Sequence, residues 1–233
     1  MANLFTIAAK DFLNGDVSAK IRVDTNLTED EELKVAYLFR NESNLPEWET
    51  KALNECKGKI LDVGAGLGCH TKILQNRGFD VTALDISQSC ASFMKELGVK
   101  KVKCQNFFEH EGNYETLLFL MNGVGMIQTV DKLPYLFEKC KSLLNPGGQV
   151  ILESSDIIYL FQEEDGSVLL DLNAKYYGEM EYQLSYKNHV EPPFKWLYVG
   201  YELLAEAATS TGFSIEKISQ SEEGNYLAIA RLQ

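Results

Sequence analysis

The chain has 233 residues, 45% of them hydrophobic, enough for one substantial core with a small appended element. Its 34 acidic against 22 basic residues give a formal charge of −12, a balance unsuited to wrapping nucleic acid or coating anionic membranes, which use basic surfaces. Five cysteines without a CxxC pair, and no long apolar run near the N-terminus, predict a soluble protein of a reducing cytoplasm, with neither a disulfide framework nor a leader or membrane span.

Residues 1–56 read as a helical N-terminal cap. Thr28 and Glu31 have the spacing of a capping box. A second helix is expected to open near Asn44 with Pro46 in its first turn, and it carries Trp48, Ala52, Leu53 and Cys56 on one face. Residues 57–233 then alternate strand and helix. "KILDV" is a continuous apolar strand, followed by helical text to Arg77 with Gly78 as its stop. "FDVTALD" is the second strand, and Cys90, Phe93, Met94 and Leu97 fall at helical spacing after it. "KKVKCQ" and "ETLLFLM" are the third and fourth. A helix bearing Leu136, Phe137, Cys140, Leu143 and Leu144 halts at "NPGG", before the fifth strand, "QVILESS". Strands apolar on both faces and separated by helices predict an α/β fold with a doubly wound, mostly parallel sheet.

The last third reads differently. An insertion over about 159–199, after the fifth strand, is rich in tyrosine and alternates like antiparallel strands ("GEMEYQLSYKN"). A helix around Tyr201–Thr211 precedes "FSIEKISQ" and "NYLAIARL", which flank "SEEGN" as a terminal antiparallel hairpin.

The stretch "ILDVGAGLGCHT" sets glycine at every second position, Gly64, Gly66 and Gly68, at the carboxyl end of the first parallel strand. Ligands of parallel sheets bind at such strand ends, and glycine lets backbone approach them. Asp85 closes the second strand, 17 residues past Gly68, where an acid accepts hydrogen bonds from ribose hydroxyls. A pyrophosphate turn wants G-x-G-x-x-G, and here the third glycine comes one residue early. Asp62 is also unfavourable beside phosphates, whereas a ligand with a ribose and a cationic end suits it.

Taken in order, "LDVGAGLG", "VTALDIS", "KCQNFF", "LLFLMNGVG" and "LLNPGGQVIL" resemble the motif series of class I, Rossmann-like S-adenosylmethionine-dependent methyltransferases of the small-molecule type, over about residues 59–155. The resemblance implies a seven-stranded sheet with a terminal antiparallel strand. It implies that Asp62 and the three glycines line the methionine end of S-adenosylmethionine, that Asp85 holds the ribose and that Ile86 packs on the adenine. Asn106, where the family often has an acid, would accept from the adenine amino group, and the Phe107 backbone N–H would face the ring. Met121 and Asn122 would face the methionine and the reacting centre. The product would be S-adenosylhomocysteine. The N/D-P-P-Y signature of nucleic-acid amino-methylating members is absent, which agrees with the acidic charge and with an acceptor that is neither nucleic acid nor membrane.

Such a donor is already activated, so the protein must chiefly align the acceptor and exclude water. A base is needed only when the acceptor holds its proton tightly, and the catalytic residue stays unknown at this point. His70, just after the glycines, is either a pocket residue or structural. Asp156 at the end of the fifth strand is a substrate contact, a base or a loop cap, and Glu153 lies within the strand itself. Tyr37 and Arg40 are placed to fold over the cofactor, with Arg40 on its carboxylate or on an acidic substrate, or else tied to the acidic run Glu29–Glu32. Seven of the eleven tyrosines lie between Tyr159 and Tyr201, and Tyr176, Tyr177, Tyr182 and Trp196 are candidates for a substrate lid, for ordinary packing or for a homodimer contact. The three histidines are dispersed, and no metal set is expected. The alternatives are a non-catalytic S-adenosylmethionine-binding regulatory or scaffold protein and, behind it, an NAD(P)-dependent oxidoreductase.

Overall fold

The computed structural model describes residues 3–163, 165–170 and 173–233. The apolar runs form the expected parallel strands: β3 (Lys59–Val63), β4 (Asp80–Asp85), β5 (Val102–Cys104), β6 (Tyr114–Phe119) and β7 (Leu144–Ser155). The closing text forms the hairpin of β11 (Phe213–Gln220) and β12 (Asn225–Leu232). Together they make one seven-stranded sheet in the order β11-β12-β7-β6-β3-β4-β5. Only β12 runs against its neighbours, β7 and β11. Strand order reverses beside β3, so its carboxyl end, with the glycines, lies at the switch point where such sheets bind ligands.

Alternate side chains along these strands enter two cores, which is why "KILDV" has no polar face. Leu61, Leu117, Val150 and Leu152 pack with α5 (Leu133–Leu143) and α6 (Tyr201–Ser210). Ile60, Leu118 and Ile151 pack with Ala52 and Leu53 of α2 (Glu47–Glu55) and Ile73 and Leu74 of α3 (Cys69–Asn76). Helix α4 (Gln88–Glu96), N-capped by the Ser87 hydroxyl, lays Met94 against Ala83 and Val99.

The N-terminal region departs from the all-helical expectation. It has α1 (Leu4–Leu13) and α2, but between them lies a hairpin of β1 (Lys20–Thr25) and β2 (Glu31–Lys34). Thr28 and Glu31 form no capping box. The Thr25 hydroxyl accepts the Leu27 and Thr28 backbone N–H groups, which makes the hairpin turn, and Glu31 starts β2. Pro46 stands at the N-cap of α2 and Asn44 in the short turn before it. The strand preference follows from "KIRVDT", where Ile21 and Val23 alternate with polar residues, and from a partner far along the chain. Strand β1 pairs with β8 (Glu179–Tyr186), Val23 opposite Leu184.

The hairpin and the insertion are therefore one antiparallel sheet, β10-β8-β1-β2, where β10 is Phe194–Leu197 and the short β9 (His189–Val190) pairs with β8. Its core joins Leu4 and Ala8 of α1 to Ile21, Val35, Leu184 and Tyr186. Residues 164, 171 and 172 of the insertion lie outside the described residues.

Candidate active site

The glycine loop is fastened to the end of β4. The Gly64 and Ala65 N–H groups donate to the Leu84 carbonyl at 2.8 and 3.0 Å. Gly66 has φ +57°, and a Cβ there would make only an ordinary contact with the Gly64 carbonyl oxygen at 3.9 Å, so the backbone angle and not crowding favours glycine. Its N–H donates to Asp85 Oδ2 at 2.8 Å, and the Ser87 N–H donates to Oδ1 at 2.8 Å. Burial pushes the Asp85 carboxyl up, and these two backbone donors oppose the shift. Each carboxylate oxygen, aimed in this way, keeps a lone pair for a ligand hydroxyl. Beside it Ile86 is 73% exposed, and Met121, after β6, is 37% exposed, two apolar side chains left bare around a polar centre.

Asp62 is turned inward. It accepts from the Thr71 hydroxyl and backbone N–H in the first turn of α3, whose N-cap, Gly68, has no side chain to do so. Its carboxyl is pushed up by burial. Asn106 Oδ1 accepts the Phe108 N–H at 3.0 Å and so caps a short turn that buries Phe107 edge-on to Phe119.

A charged cluster that no motif announced lies on the α2/α3 side of the same strand ends. Arg40 Nη2 reaches Glu49 Oε1 and Oε2 at 2.6 and 2.5 Å, and His70 Nε2 lies 2.8 Å from Oε2. The Tyr37 hydroxyl donates to Glu49 Oε1 at 3.3 Å, and its ring lies 3.4 Å beneath the Arg40 guanidinium. Burial, with the Glu49 charge beside it, pushes the Tyr37 phenol up to about 12. Glu49 is fully buried, yet its carboxyl is held below the usual range because His70 and Arg40 outweigh desolvation. Arg40 is thus tied to Glu49 of α2 and not to the run Glu29–Glu32. One donor in the cluster stays unanswered: Arg40 Nε is buried with no hydrogen-bond partner.

Glu49 escaped the sequence reading, although a signal was present. Positions 49, 52, 53 and 56 share one helical stripe, so a carboxylate stands in the apolar face of α2. Glu153, at the end of β7, completes the group. It is 9% exposed, and its Oε2 accepts the Met121 N–H at 2.9 Å. Burial pushes its carboxyl up to about 6, with Glu49 adding to the shift and His70 and Arg40 opposing it.

The opposite side of β7 holds the antiparallel sheet in place. Asn122 donates from Nδ2 to the Leu197 carbonyl at 3.1 Å and accepts at Oδ1 from the Ser154 hydroxyl at 2.8 Å. Its own carbonyl accepts from Trp196 Nε1 at 3.1 Å. Asn122 therefore clasps β10 to the end of β6, and its side chain is committed to that work. The Tyr182 hydroxyl donates to Tyr198 at 2.8 Å, stacking the two rings. Asp156 accepts from the Tyr177 hydroxyl at 2.7 Å and the Ile158 N–H at 3.0 Å, and the Tyr176 hydroxyl accepts the Gly200 N–H at 3.0 Å. Asp156, Tyr176 and Tyr177 thus bind the two ends of the insertion together, while His70 is paired within the Glu49 cluster.

A cavity of about 550 Å³ opens elsewhere, lined by Lys59, Lys101, Lys103 and Tyr114 among others. Lys59 and Tyr114 are the first residues of β3 and β6, so it lies away from the glycine loop. Among the described residues no group of His, Cys, Asp and Glu is arranged to hold a metal, and no helix is long and apolar enough to cross a membrane.

The chain as a whole is similar to known proteins. Residues 36–217 match the family described as "Methyltransferase domain". A SAM-dependent methyltransferase from Bacteroides fragilis, solved in complex with S-adenosyl-L-homocysteine, is 37% identical, with 98% of this chain and 94% of that one covered and a TM-score of 0.90. CalS10, an amino pentose methyltransferase from Micromonospora echinaspora solved with SAM bound, shares the fold at 14% identity and a TM-score of 0.57, covering 88% of this chain and 100% of that one. Among curated proteins, the biotin biosynthesis bifunctional protein BioHC of Cellvibrio japonicus (strain Ueda107) is 29% identical over 104 residues, 41% of this chain, which spans only 19% of that relative. These findings set the nicotinamide and non-catalytic readings aside. The chain belongs to the S-adenosylmethionine-dependent methyltransferases of the class I fold.

Proposed function

We propose that the acceptor of this methyltransferase is a small molecule, taken up beside the carboxyl ends of β3, β6 and β7. The observation that carries this reading is the docking of the antiparallel sheet on the turn after β6 through Trp196 and Asn122. A cover tied down at that point favours a compact acceptor over a macromolecular one and helps to exclude water. The formal charge of −12 supports an acceptor other than nucleic acid.

The residues present fit the cofactor. Asp85 would take the ribose hydroxyls on the lone pairs left by Gly66 and Ser87, and Ile86 would carry the adenine, with Asn106 and the Phe107 backbone at its edge. Gly64, Gly66, Gly68 and Met121 would border the methionine end, with Asp62 and Asn122 fixing the helix and turn that flank it. Arg40 Nε, the buried donor without an acceptor, suits the methionine carboxylate. When bound, S-adenosylmethionine supplies a methyl group on a sulfonium, activated for displacement. Tyr37, Tyr182 and Trp196 would wall the acceptor, and Asp156, Tyr176 and Tyr177 would hold the cover shut.

The test uses the purified chain with methyl-labelled S-adenosylmethionine and a cell extract, fractionated after reaction. Label in the small-molecule fraction is expected. Label in protein or nucleic acid would overturn the reading.

A further inference from the structure

Glu153 is a buried carboxylate without a cation of its own. Arg40 and His70 are paired with Glu49, so among the described residues Glu153 has only the Met121 N–H, on Oε2, and its Oε1 is left for a ligand or solvent. A carboxylate so placed is costly unless something positive completes it. The surrounding groups favour a cation as well. Tyr37 and Tyr198 both lie within the electrostatic reach of Glu153; Arg40 covers one face of the Tyr37 ring, and Tyr198 stacks on Tyr182. Aromatic rings near an anion suit an ammonium ion.

We infer that the acceptor is an amine, bound as its ammonium ion by Glu153, whose carboxylate takes the proton that must leave before nitrogen can accept a methyl group. This deepens the small-molecule reading and rests on it. The acceptor ammonium passes one proton to Oε1 of Glu153, which frees the nitrogen lone pair. That pair forms the new nitrogen–carbon bond as the carbon–sulfur bond breaks with its electrons kept by sulfur. Nitrogen takes the positive charge that sulfur loses, and Glu153 returns its proton to water. Phenols and carboxylates do not suit the site, since an anionic acceptor would face Glu153 directly.

The test uses full-length protein saturated with S-adenosylhomocysteine and titrated calorimetrically with benzylammonium and benzyl alcohol, which share a ring and differ in charge. Benzylammonium is expected to bind at least about tenfold tighter, the effect of one charge-assisted pair. In Glu153→Gln, which keeps an acceptor for the Met121 N–H, that preference disappears while the ratio of S-adenosylmethionine to S-adenosylhomocysteine affinity stays the same. Equal binding of the two probes, no binding of either, or an undiminished preference in the variant would overturn the inference. So would a changed cofactor ratio, which would assign Glu153 to the sulfonium. Failure of the small-molecule reading is separate, because it appears as label in macromolecules in the fractionation above.

Discussion

Glu49 grips Arg40 from both carboxylate oxygens, at 2.6 and 2.5 Å, with the two side chains only 1% and 6% exposed. The pair joins α2 to the turn that follows β2, and His70 adds α3 to the same carboxylate. Removing one member leaves the other charge buried and uncompensated. Glu49→Ala is expected to lower stability by about 3–5 kcal/mol in urea unfolding. The Arg40→Ala/Glu49→Ala double variant should lose less than the sum of the two single variants. Additive losses would mean that the two charges do not support one another.

Asp85 accepts the Gly66 N–H in one hydrogen bond of 2.8 Å, the arrangement proposed above to hold the ribose. Asp85→Ala removes an acceptor aimed at hydroxyls and is expected to weaken S-adenosylhomocysteine binding by at least about a hundredfold in calorimetry, as for two lost charge-assisted bonds. Gly66→Ala fits sterically but keeps a side chain at φ +57°, a strain of about 1–2 kcal/mol. It should weaken binding by a smaller factor than Asp85→Ala.

Gly125 sits under the indole of Trp196, and a Cβ there would stand 2.1 Å from Nε1 and 2.7 Å from the Leu197 carbonyl. Gly125→Ala must therefore displace β10 from the turn after β6. Trp196 emission should shift to the red, read in a Trp48→Phe background that leaves Trp196 as the only fluorophore of its kind. Stability should fall by about 1–3 kcal/mol, as for overpacked cores. An unchanged spectrum would mean that the sheet is not anchored there.

The raised Glu153 carboxyl carries a pH signature. Its folded value, about 6, stands above the ordinary 4.5, so ionisation is resisted by the fold. The penalty is absent below pH 4.5, grows as pH rises through 4.5–6, and is complete above 6. Glu153→Gln should therefore gain about 2 kcal/mol relative to the wild type at pH 7.5 and nothing at pH 4. Paired urea titrations at the two pH values check this, and a gain that does not depend on pH would contradict it.

The parallel sheet was legible in the sequence because each of its strands is defined locally. Apolar runs such as "KILDV" between helical stretches have one stable arrangement, and glycines before α3 mark where a ligand approaches. Asp85 was legible for the same reason, since its place at the end of a strand follows from the strand. The N-terminal hairpin was not, because β1 finds its partner in β8, with Val23 opposite Leu184 some 160 positions later, and strand preference depends on such a partner. Nor were the roles of single polar side chains. Asp62 turned to Thr71, Asn122 to Leu197 and Ser154, and Arg40 to Glu49, because each buried polar group takes whatever partner packing brings within reach. The sequence by itself determined the sheet and the glycine turn, which rest on periodicity and backbone geometry, while the class of cofactor followed from the resemblance of its ordered motifs to a known family. Tertiary structure alone decided which charges neutralise one another and which carboxylate is left for a ligand, because burial and pairing are properties of neighbours distant in the chain.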